Sequence, residues 1–218
     1  MNLEAILDIL FPPECLGCGK GLIAGALCAA CRWAARGAPA LALRDTGTCV
    51  RYYFLGAAGH YKNHVLKSLI HALKFGGIRN AAFPLAEILA YHARTVALPL
   101  KTFSVMPIPL SKARLRERGF NQSELIAKHF ADMLALPFEK ETLIRRQHRK
   151  PQSRTKTIAE RIENIRGCFA INSNAALTKK NIILVDDVST SGATFLEAST
   201  ALIAAGAETI LALAVAKA

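Results

Sequence analysis

The feature that most constrains the fold of this chain is an apolar run ending in two adjacent carboxylates. Residues 182–185 (IILV) show no polar alternation, which is typical of a strand buried on both faces of a sheet. Asp186 and Asp187 follow, then a hydroxyl-rich turn, and then residues 193–206, which have the composition of a helix ended by glycine. Residues 209–215 form another apolar segment. This order of elements predicts a βαβ unit.

Strand-like and helix-like segments alternate from Phe103 onward. The alternation predicts an α/β fold, with a mainly parallel sheet covered by helices on both faces. The chain has 218 residues, of which 52% are hydrophobic, so it can form one such domain and a small appendage. Ligands of these sheets bind beyond the carboxyl ends of the strands, and Asp186 lies at such an end.

Three other segments carry more local expectations. Residues 49–62 predict a short hairpin around Gly56, and residues 111–119 predict a loop. Residues 64–77 predict a helix whose basic stripe is a solvated face, with a phosphate- or nucleic-acid-facing role as the alternative. That stripe consists of His64, Lys67, His71 and Lys74.

Four of the six cysteines form two C-x-x-C pairs separated by nine residues: Cys15, Cys18, Cys28 and Cys31. Two such pairs can close a four-thiolate shell around one tetrahedral cation, which predicts a structural Zn²⁺ site. Two disulfides are the alternative, but they require an oxidising compartment, and the first residues lack a secretory signal. The expected division is a four-cysteine module with its linker, residues 1–47, and a second domain, residues 48–218.

The net charge and the hydropathy of the chain limit the kinds of molecule and compartment that we expect for it. The formal net charge is +12, and residues 110–166 carry fourteen Lys and Arg against seven Asp and Glu. Such an excess favours polyanionic partners, either phosphorylated small molecules or nucleic acid, although a merely solvated basic surface is the alternative. No apolar stretch approaches the roughly 20 residues of a membrane helix, so we expect a cytoplasmic protein without a membrane span.

The turn after the two aspartates has the donors of a phosphate site. Its hydroxyls and backbone N–H groups precede a helix, whose positive end attracts anions, and a glycine allows close approach. No lysine follows the glycine, so this is not a Walker loop. The carboxylates can accept hydrogen bonds from sugar hydroxyls or hold a hydrated Mg²⁺ ion. The alternative to a ligand site is a structural role, in which the two aspartates at the end of the strand only cap the start of the following helix. The hydroxyl and glycine residues are Ser189, Thr190, Ser191, Gly192 and Thr194.

The run ILVDDVSTSGAT (residues 183–194) resembles the phosphoribosyl-pyrophosphate (PRPP) signature of type I phosphoribosyltransferases. The resemblance implies that fold, with Asp186 and Asp187 as the catalytic pair facing the ribose hydroxyls. The 5′-phosphate would bind to Val188, Ser189, Thr190, Ser191, Gly192, Ala193 and Thr194. The pyrophosphate-binding loop would consist of Pro107, Ile108, Pro109, Leu110 and Ser111. Residues 145–156 would match the flexible loop that closes over the reaction centre.

A narrower resemblance, to the ComF (ComFC) family, covers nearly the whole chain. It includes the cysteine module, LIHALKFGG (residues 69–77), RGFNQS (residues 118–123) and the PRPP run, with Gln152, Arg161, Asn164 and Phe169 in pattern. His148 departs from it, where relatives often carry threonine. The family is associated with DNA uptake during natural transformation in bacteria, so the resemblance implies binding of PRPP with Mg²⁺ and action on or beside single-stranded DNA.

Several points stay open at this stage. The acceptor is not visible, so a phosphoribosyltransferase of nucleotide metabolism and a regulatory PRPP sensor are alternatives, and contacts with other competence proteins are left open. Tyr52, Tyr53, Phe54 and Tyr61 could stack on single strands or pack in the core. The cations that could stabilise a departing pyrophosphate are Arg114, Arg116, Arg118, Arg145, Arg146, Arg149, Lys150 and Arg154.

Overall fold

A four-stranded parallel sheet organises the molecule. The computed structural model describes residues 14–22, 25–35, 53–95, 100–146, 166–172 and 177–218. The sheet strands are β1 (Tyr53–His60), β2 (Phe103–Pro107), β5 (Asn181–Ser189) and β6 (Thr209–Lys217), in the order β1-β6-β5-β2, and every neighbouring pair is parallel. Two short strands, β3 (Leu143–Arg145) and β4 (Phe169–Ile171), form a separate antiparallel pair. The predicted mainly parallel sheet is confirmed.

Helices cover both faces of this sheet. They are α1 (Ala29–Ala35), α2 (His64–Lys74), α3 (Ala82–Thr95), α4 (Lys112–Arg118), α5 (Gln122–Leu134) and α6 (Ala193–Ala204), with 3₁₀ turns at Arg79–Ala81 and Leu100–Thr102. No helix in the described part of the chain is long and apolar enough to cross a membrane.

The apolar run of β5 divides its side chains between two cores. Ile183 and Val185 pack with α2, α3 and α5, whereas Ile182 and Leu184 pack with α6 on the other face. All four are fully buried. Because side chains alternate across a strand, a strand buried on both faces needs an unbroken apolar sequence. Each such side chain contributes about 1.5–3 kcal/mol by burial.

The predicted hairpin around Gly56 is wrong. Strand β1 runs through Gly56 without a turn, and Gly56 pairs with Leu213 of β6. A Cβ atom on Gly56 would lie 3.2 Å from Leu213, and one on Gly59 would lie 2.6 Å from Leu66. The two glycines therefore serve close packing against the strand rather than a change of chain direction.

The predicted loop at residues 111–119 is also wrong, because it contains helix α4. The Ser111 hydroxyl caps the helix by accepting from the Arg114 N–H at 3.4 Å, and Gly119 ends it with a φ of 76°. No residue of α4 is buried, so the helix lacks the apolar stripe by which helices are usually predicted. Good intrinsic helix formers and both caps account for it.

The cysteine module packs directly on the sheet domain. Cys15, Leu27 and Cys31 share one apolar core with Val65 and Leu66 of α2. The predicted linker after α1 and the boundary at residue 47 lie outside the described residues, and the division into two domains stays a prediction.

Two polar contacts tie α1 to the helices beneath it. Arg32 donates to both carboxylate oxygens of Glu87 in α3, at 2.6 and 2.7 Å. The Asn63 side chain caps α2 and donates to the Ala34 carbonyl.

Candidate functional site

The two aspartates lie at the carboxyl end of β5, beside the end of β2. Pro107, the last residue of β2, pairs with Val185, and the Ile108 N–H donates to the Val185 carbonyl at 2.9 Å. The structure therefore brings together the two segments that the sequence assigned to the ribose and to pyrophosphate, at the edge of the sheet where ligands of such folds bind.

Asp187 is held by a cation rather than turned into the apolar interior. The Lys74 ammonium lies 2.9 Å from Asp187 Oδ1, and the two side chains are only 18% and 4% exposed. The second oxygen of Asp187 is buried and has no hydrogen-bond partner among the described residues. A buried carboxylate oxygen of this kind is free to accept from a bound hydroxyl. The stripe on α2 thus contributes Lys74 to the site, in contrast to the solvated role favoured from sequence.

Asp186 accepts two hydrogen bonds within the protein. The Ser123 hydroxyl donates to Asp186 Oδ1 at 2.6 Å, and the Asp187 backbone N–H donates to the same oxygen at 2.9 Å. Burial, and then the negative charge of Asp187, raise the pKa of Asp186 to about 7, in spite of these hydrogen bonds and of Lys74. Asp186 therefore changes charge near neutral pH.

This pKa makes stability depend on pH in a defined direction. An ordinary aspartate titrates near pH 4, so the folded protein holds the Asp186 proton more tightly than the unfolded chain does. The resulting stabilisation is lost as the pH rises from about 4 to about 7. We expect the free energy of unfolding of the wild type, minus that of Asp186→Asn, to fall over this range and to stay level above it. Urea unfolding at a series of pH values measures the difference, and a rise with pH would contradict the assignment.

Asn121 and Ser123 join the pyrophosphate-loop candidate to the acidic pair. The Asn121 amide donates to the Ile108 carbonyl at 3.0 Å, and its oxygen caps α5 by accepting from the Ser123 N–H at 3.1 Å. The sequence alone did not show that Ser123 contacts Asp186. The signal was the RGFNQS block, whose partner on β5 is 63 residues away along the chain.

The loop candidate after β2 presents different degrees of burial. Pro107 and Ile108 are buried, whereas Pro109, Leu110 and Ser111 are partly exposed. Its exposed end leads directly into the basic helix α4.

The turn after β5 opens onto solvent at the start of α6. Gly192 has a φ of 79° and precedes the helix without a side-chain cap. The Ala193 N–H donates weakly to the Ser191 hydroxyl, at 3.4 Å. Thr190 and Ser191 are exposed, and the Lys217 ammonium donates to the Thr190 carbonyl. Exposed hydroxyls, a helix start and a lysine together form an anion-binding environment.

The remaining residues of the turn are buried or partly buried beneath its exposed centre. Val188 packs against the core, and Ala193 is buried. The Ser189 hydroxyl is buried without a hydrogen-bond partner among the described residues, and Thr194 is partly buried. In the predicted phosphate-binding segment, the central residues therefore face solvent and the flanking residues are buried or partly buried.

Arg145, one of the candidate loop cations, interacts electrostatically with Asp186. Burial lowers its pKa, the charge of Arg114 lowers it further, and the charges of Cys168 and Asp186 oppose these effects. Arg145 is therefore within electrostatic range of both Arg114 and Asp186. The other loop and pattern residues lie outside the described residues: His148, Arg149, Lys150, Gln152, Arg154, Arg161 and Asn164. Of the aromatic residues considered for stacking, Tyr52 and the side chains of Tyr53 and Phe54 also lie outside them, whereas Tyr61 packs against the core.

The four predicted metal ligands converge at the N-terminal module. The sulfur atoms of Cys15, Cys18, Cys28 and Cys31 all lie within 4.8 Å of one another, and none forms a disulfide. The Cys18 and Cys28 sulfurs are 3.9 Å apart. Zn–S bonds of about 2.3 Å in a tetrahedron require S···S distances of about 3.8 Å, so the cluster fits zinc.

Backbone N–H groups favour the thiolate form of one of these cysteines, which is the form that binds a metal. Burial alone would raise the pKa of Cys15, but the backbone N–H groups of Cys28, Gly17 and Cys18 outweigh it and lower that pKa to about 6. Gly17 also allows the module to close, since a Cβ atom there would lie 2.8 Å from Cys31 Sγ and 3.2 Å from Val65.

Curated relatives share the sequence over most of its length. Competence protein ComFC of Bacillus subtilis is 32% identical over 193 residues, which cover 88% of this chain and 72% of that protein. DNA utilization protein YhgH of Salmonella typhi is 30% identical over 149 residues, covering 66% of this chain and 64% of that protein. No protein-family model matches the chain.

Solved structures overlap with this chain only in part. The glutamine PRPP amidotransferase of Bacillus subtilis, solved with ADP and GMP, is 20% identical and has a TM-score of 0.43. The overlap covers 63% of this chain and 26% of the amidotransferase. The sequence match to the Bacillus subtilis competence protein is the decisive one, and by it this chain belongs to the ComFC family of competence proteins.

Proposed function

We propose that this protein binds PRPP with Mg²⁺ at the carboxyl end of the sheet and serves DNA uptake in natural transformation, acting on or beside internalised single-stranded DNA in the cytoplasm. The observation that carries the proposal is the juxtaposition of Asp186 and Asp187 with the open start of α6. A sugar phosphate matches this arrangement, because its ester can bind the turn while its vicinal hydroxyls reach the acids.

The donor set supports the ribose half of the proposal. The free oxygen of Asp187 and the carboxylate of Asp186 are acceptors for hydroxyl groups or for the water shell of Mg²⁺. Mg²⁺, when bound with PRPP, would neutralise charge on the pyrophosphate. The pairing of Pro107 with Val185 and the electrostatic interaction of Arg145 with Asp186 and Arg114 support contacts of residues 107–111, Arg114 and Arg145 with the same group. Lys74 pairs with Asp187.

The names of the relatives support the proposed role in DNA uptake. They describe a competence protein and a DNA utilization protein, and the proposal extends DNA uptake to this chain. We also propose that residues 1–47 form a zinc-holding module and residues 48–218 the PRPP-binding domain. The alternative is a phosphoribosyltransferase of nucleotide metabolism. Such an enzyme would release pyrophosphate from PRPP when a free base is supplied as the acceptor.

Calorimetric titration of the zinc-loaded protein with PRPP tests the binding proposal. We expect binding in the presence of Mg²⁺ and at least about tenfold weaker binding of ribose 5-phosphate, which lacks the pyrophosphate. Equal affinity for the two ligands would contradict a pyrophosphate subsite. A coupled pyrophosphate assay with free bases then separates the nucleotide-metabolism alternative from the DNA-uptake function.

Single-stranded DNA binding is expected to weaken steeply with salt. Lys112, Arg114 and Arg116 of α4 are exposed, and each phosphate they contact should add about −0.7 to the slope of log K against log salt concentration. Neutralising Lys112 and Arg116 to glutamine should flatten the slope. Lys101→Gln is the matched control, because Lys101 precedes β2 at the opposite end of the sheet. A flat response of the wild type would contradict the electrostatic account.

A further inference from the structure

An exposed phenylalanine lies at the rim of the acidic site. Phe75 follows Lys74 at the end of α2 and is 68% exposed. The guanidinium of Arg118, the last residue of α4, lies 5.5 Å from the centre of the Phe75 ring. The His71 ring is tilted against the same phenylalanine with centroids 5.1 Å apart. This exposed ring therefore lies beside cationic and aromatic groups.

A second arginine–phenylalanine pair lies on the same two chain segments. The Arg79 guanidinium lies 4.9 Å from the centre of the Phe120 ring. Phe120 packs against the core and is partly buried, whereas Arg79 is exposed. We call Phe75, Arg79, Arg118 and Phe120 the Phe–Arg surface.

The Phe–Arg surface is continuous with the acidic pair. Phe75 is the neighbour of Lys74, which binds Asp187, and Phe120 is three residues before Ser123, which binds Asp186. The same two segments thus contact the acids and carry the Phe–Arg surface. A ligand bound on this surface would lie next to the ribose subsite of the proposed function.

The charge of this surface is not neutralised within the described part of the protein. No carboxylate among the described residues forms an ion pair with Arg79, Arg114 or Arg118. One terminal nitrogen of Arg118, Nη1, is buried and lacks an acceptor there. A buried guanidinium N–H without a partner is costly, so an incoming acceptor would gain a strong hydrogen bond.

We propose that a base of single-stranded DNA stacks on Phe75, that Arg118 donates to the base or its phosphate, and that α4 binds the flanking phosphates. The combination of an exposed ring, unpaired arginines and an adjacent basic helix is complementary to a polyanion whose bases are unpaired. The placement of this base beside a ribose subsite rests on the proposed function. The stacking contact itself depends only on the Phe–Arg surface.

Oligonucleotide binding to the full-length, zinc-loaded protein tests this assignment. We expect Phe75→Leu to weaken binding of a short oligothymidylate by about 5- to 150-fold, which is the range for loss of one stacked base. Phe75→Trp should restore it. An abasic strand with the same number of phosphates should bind the wild type and Phe75→Leu equally, because it offers no ring to stack. Photocrosslinking of a 5-iodouracil strand should label Phe75.

Two controls make the outcomes decisive. Phe83→Leu removes another exposed aromatic ring, 45% exposed, from α3, where it contacts His129, and should leave oligonucleotide binding unchanged. PRPP binding by Phe75→Leu should match the wild type, so a protein that fails to bind PRPP at all refutes the proposed function without touching the stacking contact. Unchanged oligothymidylate binding by Phe75→Leu would overturn the inference.

Discussion

Replacing Asp186 and Asp187 together by asparagine is expected to weaken PRPP binding by at least about 100-fold, which in practice abolishes it. Hydrogen bonds from ligand hydroxyls to a charged acceptor contribute about 1.5–3 kcal/mol each, and tenfold in affinity corresponds to about 1.4 kcal/mol. Asparagine keeps the shape of the side chain but loses its charge and one acceptor. Calorimetry with PRPP and Mg²⁺ gives the difference directly.

The design must separate lost binding from lost folding. Asp187→Asn leaves the Lys74 ammonium without its carboxylate in a nearly buried position, which can cost about 3–5 kcal/mol. The variant Lys74→Met with Asp187→Asn removes both charges, so it should unfold at a temperature closer to that of the wild type while still failing to bind PRPP.

Asp132→Asn is the matched control for these acids. Asp132 is an exposed acid on α5 that pairs with Lys128, and its replacement should leave PRPP binding intact. Undiminished binding by the variant with both Asp186 and Asp187 replaced would refute the site. A strain carrying the same double replacement should lose transformation, and normal transformation would refute the role in DNA uptake.

The second large effect is expected from the cysteine cluster. Cys28→Ser together with Cys31→Ser should release the metal that the four sulfurs are arranged to hold, and should lower Tm by at least about 10 °C. The reason is that Cys31 belongs both to the ligand set and to the core shared with Val65 and Leu66 of α2. Metal analysis of the purified protein and a thermal melt measure the two effects.

Controls within the chain distinguish metal binding from packing. Cys168→Ser alters a buried thiol outside the cluster and should leave the zinc content unchanged. Gly17→Ala should weaken zinc binding, because its methyl group would lie 2.8 Å from Cys31 Sγ, whereas Gly21→Ala has no atom within 4 Å of the added carbon. Wild-type protein that contains no zinc and melts like the cysteine variant would refute the metal site.

Local sequence patterns were sufficient where one segment carried the whole signal. The apolar run of β5 with the turn and α6 after it predicted the parallel sheet that the structure confirms. The spacing of the four cysteines predicted that their sulfur atoms converge, as they do. Helix α4 and the straight course of β1 were missed. Solvent exposure removes the apolar period of α4, and the glycines of β1 serve packing by partners distant in sequence.

The amino-acid sequence by itself determined the parallel sheet, the strand-end acids and the cysteine set, because periodicity and spacing are properties of contiguous residues. Tertiary structure alone decided that Lys74 binds Asp187, that Ser123 binds Asp186, and that Phe75 and Arg118 meet at the same rim. These contacts join residues that are distant in sequence. Only the tertiary arrangement of α2 and α5 at the end of β5, with α4 beside the end of α2, brings them within hydrogen-bonding distance or ring contact.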